Sequence, residues 1–333
     1  MIHKTDEENA MTRHTTILIA LLAALAPAAV QAAESYPSRP VRFIVPYPPG
    51  GTTDLVTRGI ANKLSETYGQ QFVTDNRGGA STIIGADLLA KASPDGYTIG
   101  LLTQTTMSIN PNVVKKLPYD AAKDYAPITQ TVYVPFMIAA HPSLPVKSMP
   151  ELIALAKSKP GTISYGTPGT ASTNHLGGAL LETLAGIKLL HVPFKGSGPA
   201  TNATLGGQVN FVITGISTVT PHAKAGRLRI LAIAAEQRHP NWPDIPSTGE
   251  AGLKGYKSGT WFGVLAPAGT PKAIVASLHK NIVASLEGGE LKKRLTVIGF
   301  DVVTQSPQDF AKYMKEDREL TAKIIKTAGI KLD

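Results

Sequence analysis

The chain contains no cysteine, only 2 tryptophans among its 333 residues, and just 6% aromatic residues. Without cysteine there is no disulfide, no zinc–thiolate centre and no thiol nucleophile. Other absences narrow the chemistry further. No His-Glu-x-x-His occurs, so a zinc-protease helix has no support, and no Gly-x-Ser-x-Gly forms a nucleophile elbow. No Gly-Lys-Ser/Thr closes a Walker-type phosphate loop. The histidines at 141, 191, 222, 239 and 279 show no metal-ligand spacing. Long apolar runs are missing too, apart from Ile17 to Val30. That run is short for a membrane span, which takes ~20 residues.

What stands at the N-terminus instead has the layout of an export signal. Thr12-Arg13-His14 precedes the apolar run, and Val30-Gln31-Ala32 offers small residues where a signal peptidase reads. Residues 1–32 are therefore expected to be a cleaved signal peptide, with Met11 an alternative start to Met1. The formal net charge of the whole chain is +9. Residues 1–32 carry two basic and three acidic residues, so the remaining 301 residues carry +10. Such a field favours acidic small molecules. The basic residues are scattered and aromatics sparse, so nucleic acid is not indicated as a partner. The length suits two medium domains, each able to build its own core without disulfides.

The organising stretch is Val45-Pro46-Tyr47-Pro48-Pro49-Gly50-Gly51-Thr52-Thr53-Asp54. Val41–Val45 reads as a strand, and Asp54–Leu64 as a helix with Val56, Ile60 and Leu64 on one face. Prolines stiffen the turn between them and glycines let it bend. Thr52 or Thr53 is expected to cap the helix, whose first N–H groups and dipole suit an anion. Taken alone, a ligand-free turn fits the stretch equally well.

Further strands at Gln71–Thr74 and Tyr97–Thr103, with a helix near Ser81 carrying Ile84 and Leu88 on one face, complete a β-α-β-α-β pattern. This predicts parallel strands. A second α/β unit follows: a strand from Val132 to Ala140, a helix from the capping box at Ser148-Met149-Pro150-Glu151, and four more short strands with intervening helices. It repeats the first unit's logic, because Ile163–Tyr165 runs into Gly166-Thr167-Pro168-Gly169-Thr170 and then a helix. Two such turns aimed at one cleft would hold a carboxylate with backbone donors and no arginine. Lys195 could add a cation; a solvated lysine explains it as well. His175 reads as a packing or capping histidine. Trp261–Leu265, a proline-started helix at Thr270-Pro271, a short strand at Phe300–Val303 and a terminal helix from Ser306 are too few strands for a third sheet and are expected to return to the first unit. The pattern permits two α/β lobes with two chain crossings, a hinge.

At this point the residues resemble a known family. Tyr36-Pro37-Ser38-Arg39-Pro40-Val41, the Pro-Gly-Gly turn, Asn76-Arg77-Gly78-Gly79-Ala80, Ser93-Pro94-Asp95-Gly96-Tyr97-Thr98 and His191-Val192-Pro193-Phe194-Lys195-Gly196 are similar to the substrate-binding proteins of tripartite tricarboxylate transporters, the Bordetella uptake gene product family. So are Leu117-Pro118-Tyr119-Asp120, Lys224-Ala225-Gly226-Arg227-Leu228 and Ala266-Pro267-Ala268-Gly269-Thr270-Pro271. The resemblance implies a periplasmic two-lobe, type II-like binding protein, with residues 33–135 and 258–333 in one lobe and 136–257 in the other. It implies a receptor for a small carboxylated solute, here expected to be a di- or tricarboxylate or aromatic carboxylate, that serves inner-membrane permease subunits. A receptor that must diffuse is expected to be a monomer, and the missing motifs leave no cofactor, metal or catalysis expected.

Carried over by position, Tyr47, Gly50, Gly51, Thr52 and Thr53 would serve from one lobe, and Gly169, Thr170, Ala171 and Ser172 from the other. Thr103 and Thr105 would line the floor. Two departures bear on the ligand: Ile83 stands where members often have a small polar residue, and Thr214 where many have aspartate. The latter argues against an amino acid and toward an uncharged or second-carboxylate body. A ligand-presenting accessory of a sensor kinase needs the same cleft. An exported carboxylic ester hydrolase would need a nucleophile and base that the motifs do not supply.

Overall fold

The computed structural model describes residues 36–330, and the expected signal peptide lies outside the described residues. Residues from Arg39 onward form one compact unit. Its first strands are β1 (Val41–Val45), β2 (Phe72–Asn76) and β3 (Thr98–Thr103), and β1 pairs parallel with both others, as the alternation predicts. Helix α1 (Thr52–Tyr68) buries Val56, Ile60 and Leu64, the face read from the 3.6-residue period, and Gly69 ends it in the left-handed conformation.

Helix α2 (Ile83–Ala90) departs from expectation in two ways. It starts later than Ser81, because Ala80, Ser81 and Thr82 all have positive φ (46°, 51° and 78°) and cannot join a right-handed helix. It also packs through the opposite face. Ile84 and Leu88 are 48% and 37% exposed, while Gly85, Ala86 and Leu89 are buried. The cause is close approach at Gly85, where an added Cβ would sit 2.8 Å from the Arg77 carbonyl oxygen and from Pro46 Cα. Only the glycine face fits there.

A π-helical turn (Thr105–Ile109) and α3 (Asn110–Val113) lead to β4 (Tyr125–Ala140), longer than the Val132–Ala140 expected. Its register against the later strand Gly259–Pro267 shifts at Pro127/Thr129 and Gln130/Val132, so the period-2 signal is broken along its first half. The chain continues through α4 (Met149–Ser158), β5 (Ser164–Thr167), α5 (Thr173–Ala185), β6 (Leu190–Pro193), α6 (Ser197–Leu205), β7 (Phe211–Gly215), α7 (Ile216–Lys224) and β8 (Arg229–Ile233). It ends with β9 (Gly259–Pro267), α8 (Lys272–Glu287), α9 (Gly289–Val297), β10 (Asp301–Val302) and α10 (Pro307–Ala328). Pro271 caps α8 instead of opening it.

The sheet runs β2-β1-β3-β9-β4-β7-β5-β6, with β8 and β10 also on β4. Strand β4 is shared: Tyr125–Pro135 lies opposite β9, and Phe136–Ala140 opposite β7. Each half has its own core. Ile44, Leu102, Trp261 and Phe310 anchor one; Phe136, Ile138, Tyr165 and Phe211 anchor the other. A third cluster, including Leu176 of α5 and Ile325 of α10, joins the two halves. Among the described residues no helix is long and apolar enough to cross a membrane.

Candidate ligand-binding site

The Pro-Gly-Gly turn is shaped by one carboxylate. Asp54, 5% exposed, accepts the Gly50 N–H (3.0 Å) and the Asn76 side-chain N–H (3.0 Å), and Asn76 also donates to the Tyr47 carbonyl (3.1 Å). Arg58 Nε closes the network on Asp54 at 2.9 Å. Burial alone would raise the Asp54 pKa, but Arg58, the Gly50 N–H and Asn76 outweigh it and hold the carboxyl below its usual range. Neither Thr52 nor Thr53 caps α1 as expected; Gly51 occupies the N-cap with no side-chain bond. Tyr47 is fixed by its hydroxyl, 2.8 Å from Thr103 Oγ1.

The second turn is held by histidines. Ser172 caps α5, accepting the His175 N–H (3.2 Å) and donating to the Gly169 carbonyl (2.7 Å). Ala171, at a left-handed φ of 55°, donates its N–H to His175 Nδ1 at 3.1 Å. That acceptor role requires an unprotonated Nδ1. The His175 ring stacks on His191 at 3.7 Å between centroids and 8° between planes, and His191 Nε2 pairs with Thr167 Oγ1 at 2.6 Å. Burial pushes both pKa values down to about 4, helped in His191 by its neighbour.

The sign of the resulting pH dependence is fixed. The unfolded histidines protonate as pH falls through 6.5 and the folded ones do not, so stability is whole above 6.5 and declines toward 4. The loss is on the order of 2 kcal/mol per ring once partial exposure is discounted. Urea midpoints at pH 7 and pH 4.5 should show His191→Phe losing less stability than wild type over this interval. Equal losses would remove the pair from the account.

The two turns meet across a cavity of about 670 Å³. Of the residues singled out in the sequence, Tyr47, Gly51, Thr52, Thr53 and Thr105 line it from one side. Gly169, Thr170, Ala171 and Ser172 line it from the other. Three lie elsewhere. Gly50 turns its N–H inward to Asp54, and Thr103 is buried behind Tyr47 with its hydroxyl engaged there. Thr214 lines a smaller cavity of about 140 Å³, which shares Thr52, Thr173, Asn174, Thr260 and Phe262 with the larger one.

Sequence reasoning missed Gly79, Ser81, Thr82, Asn174, Thr260 and Phe262, all of which line the main cavity. The left-handed Ala80–Thr82 segment is kept in place by Asn110, whose side-chain N–H donates to the Ser81 carbonyl at 2.8 Å. The glycines of Asn76–Ala80 were its only visible sign. Lys195 is exposed and lines neither cavity.

Among the described residues Tyr47 is the one ionisable side chain on either cavity wall. The start of α1 and the start of α5 both face the main cavity, so partial positive charge and free N–H groups converge where no arginine or lysine stands. This arrangement suits an anion recognised by backbone. None of the lining serines and threonines has a histidine ring nitrogen as its hydrogen-bond partner, and among the described residues no cluster of three metal-ligating side chains occurs.

Comparison with known proteins places this geometry. The family model "Tripartite tricarboxylate transporter family receptor" matches residues 56–330. Protein BugT of Bordetella pertussis is 32% identical over 323 residues, covering 97% of this chain and 99% of BugT. A Rhodopseudomonas palustris protein solved with adipate is 38% identical, with a TM-score of 0.79 over 89% of this chain and 99% of its own. MatC from Rhodopseudomonas palustris, solved with bound malate, is 31% identical with a TM-score of 0.75, covering 87% of this chain and 100% of its own. The chain therefore belongs to the tripartite tricarboxylate transporter receptor family, with its two-lobe periplasmic-binding-protein fold.

Proposed function

We propose that this chain is an exported receptor that closes around a small organic carboxylate in the periplasm and delivers it to the permease subunits of a tripartite tricarboxylate transporter. The observation that carries the reading is the convergence of two helix N-termini, from opposite halves of the sheet, on one cavity without a charged wall. Adipate and malate, bound to the two Rhodopseudomonas palustris relatives, are carboxylates of fitting size. Export follows from the charge and apolar layout of residues 1–32. The protein acts as a monomeric binder, not as an enzyme.

The mechanism is lobe closure. Residues 33–135 with 258–333 form one lobe and 136–257 the other. The pairing of β4 supports this division, since it passes from β9 to β7 between Pro135 and Phe136. The return crossing lies at Ser258–Gly259, where Phe136 donates its N–H to the Ser258 carbonyl at 3.0 Å. Tyr47, Gly51, Thr52 and Thr53 hold the carboxylate from the first lobe, and Gly169, Thr170, Ala171 and Ser172 from the second. A ligand that touches both turns binds the closed form better and shifts the population to it.

Thermal unfolding against mono-, di- and tricarboxylates, aromatic acids and amino acids tests this. A true ligand at a hundredfold excess over Kd adds about 2.7 kcal/mol of apparent stability. The expected result is a clear shift confined to a few carboxylates. A shift with amino acids alone, or with none of the panel, would remove the carboxylate reading.

A further inference from the structure

A third cavity, of about 280 Å³, lies behind β4 and β9 where the halves of the sheet meet. Successive side chains of a strand point to opposite faces. Tyr133 and Gly259 line this cavity, whereas their neighbours Val134 and Thr260 line the cavities described above. Leu176 and Leu180 of α5 form one wall, and Leu320 and Ile324 of α10 another. Asp317 of α10 stands between them, mostly buried. Its carboxylate accepts from Gln104 Nε2 (2.8 Å), Ser108 Oγ (2.5 Å) and Trp261 Nε1 (3.0 Å), all neutral donors. Among the described residues no cationic side chain pairs with it, and the adjacent Arg318 donates to the Met107 and Ala121 carbonyls instead. Burial pushes its pKa above the usual carboxylate range despite those donors, as fits an inward carboxylate short of a cation. Gln104 adds a second unmet acceptor, because its Oε1 is buried with no hydrogen-bond partner.

We propose that this rear cavity is a second binding site, separate from the main one, and that it takes a small primary aliphatic amine as its ammonium. An ammonium brings three donors and a positive charge, which Asp317 and Gln104 Oε1 both lack a partner for. An acid would set like charge against Asp317, and an alcohol would leave that charge unneutralised. The Tyr133 ring already attracts a cation, since Lys257 holds its ammonium 4.8 Å over it. The leucine and isoleucine walls take the alkyl chain. Lys257 opposes a second cation, but it is exposed and screened by solvent, and Glu316 lines the same cavity with the opposite sign. The site faces away from the two glycine turns, so it stands or falls independently of the carboxylate reading.

The test is calorimetry on the mature protein in phosphate buffer at pH 7, comparing butylamine with butanol and hexylamine with hexanol. Wild type should bind the better amine about tenfold or more tightly than its alcohol, as a charge-assisted bond requires. Asp317→Asn keeps the size of the side chain and removes its charge, so the preference should fall to about threefold or less. That variant also disturbs the bonds to Gln104, Ser108 and Trp261, so a second one leaves them alone. Leu320 is 55% exposed, and Leu320→Arg places a cation at the cavity without touching the core. Its melting temperature should stay level, its amine affinity should drop about fivefold or more, and its alcohol affinity should hold. No preference for amine over alcohol in wild type, or a preference that persists in both variants, would overturn the site. An equal loss of amine and alcohol in Leu320→Arg would mean blocked entry and would overturn the ammonium assignment.

Discussion

Asp54→Ala should lose about 3 kcal/mol of stability and bind its ligand at least thirtyfold more weakly. The carboxylate is buried and accepts from the Gly50 backbone, from Asn76 and from Arg58. Truncation leaves the Gly50 N–H without an acceptor in the protein and costs Asn76 one of its two, the other being the Tyr47 carbonyl, and each lost hydrogen bond to a charged group is worth ~1.5–3 kcal/mol. The turn that carries Gly51 and Thr52 then keeps only its Tyr47 end, held by Asn76 and Thr103, and its glycine end is released. One effect opposes this. The carboxylate sits in the first turn of α1, so its removal also removes a like charge from the region where the ligand anion is proposed to bind. Arg58 already offsets much of that charge, so the gain is on the order of 1 kcal/mol. Loss of the turn therefore wins.

Arg58→Ala is the control. Its side chain is half-exposed, so water can replace much of its i,i+4 pair with the buried Asp54, and its loss should cost about 1 kcal/mol, less than Asp54→Ala. A large effect from Arg58→Ala and a small one from Asp54→Ala would show that charge, not backbone support, shapes the turn. Acid titration gives an independent check. Since the folded Asp54 pKa lies below 3.8, its stabilisation is present above 3.8 and is lost as pH falls through the folded value. The gap between wild type and Asp54→Ala should hold above pH 3.8 and narrow only below it.

What was legible in the sequence followed from local periodicity and from turn chemistry. Val56, Ile60 and Leu64 announce the buried face of α1 because every neighbour they meet lies on one side. The two glycine turns could be read because glycine and proline mark backbone geometry directly. What failed were features set by distant parts of the chain. Ile84 and Leu88 have a proper helical spacing, yet the helix presents Gly85 to the turn because the backbone of Pro46 and Arg77 leaves no room. Ala80, Ser81 and Thr82 have no preference for positive φ, and Asn110, some thirty residues on, holds them there. The first half of β4 hid behind its register shifts. The stacking of His175 on His191 requires α5 and β6 to be folded together before either ring has its partner. Thr52 and Thr53 had the chemistry of caps, but Asp54 was better placed to satisfy the turn.

Gly85→Ala should destabilise the protein by about 2 kcal/mol and weaken ligand binding at least tenfold, although in an exposed helix the same change would stabilise. Glycine inside a helix costs ~1 kcal/mol relative to alanine, so propensity alone predicts a gain. Sterics decide otherwise. The new methyl would meet the Arg77 carbonyl oxygen, Pro46 Cα and Pro46 Cβ, each at 2.8 Å, and backbone atoms cannot swing aside as a side-chain tip can. Overpacking of this kind costs ~1–3 kcal/mol and often more. The strain is relieved by moving Pro46, which lines the main cavity and leads into Tyr47 and the Gly50–Gly51 bend. Gly59→Ala separates this from a general packing effect. Its methyl would also clash, at 2.5 Å, but against the end of the Leu291 side chain on the far side of α1, which can rotate. Calorimetry on the two variants should therefore show an affinity loss for Gly85→Ala alone. Equal affinities would mean that the turn keeps its shape without the support of α2, and that the glycine serves packing only.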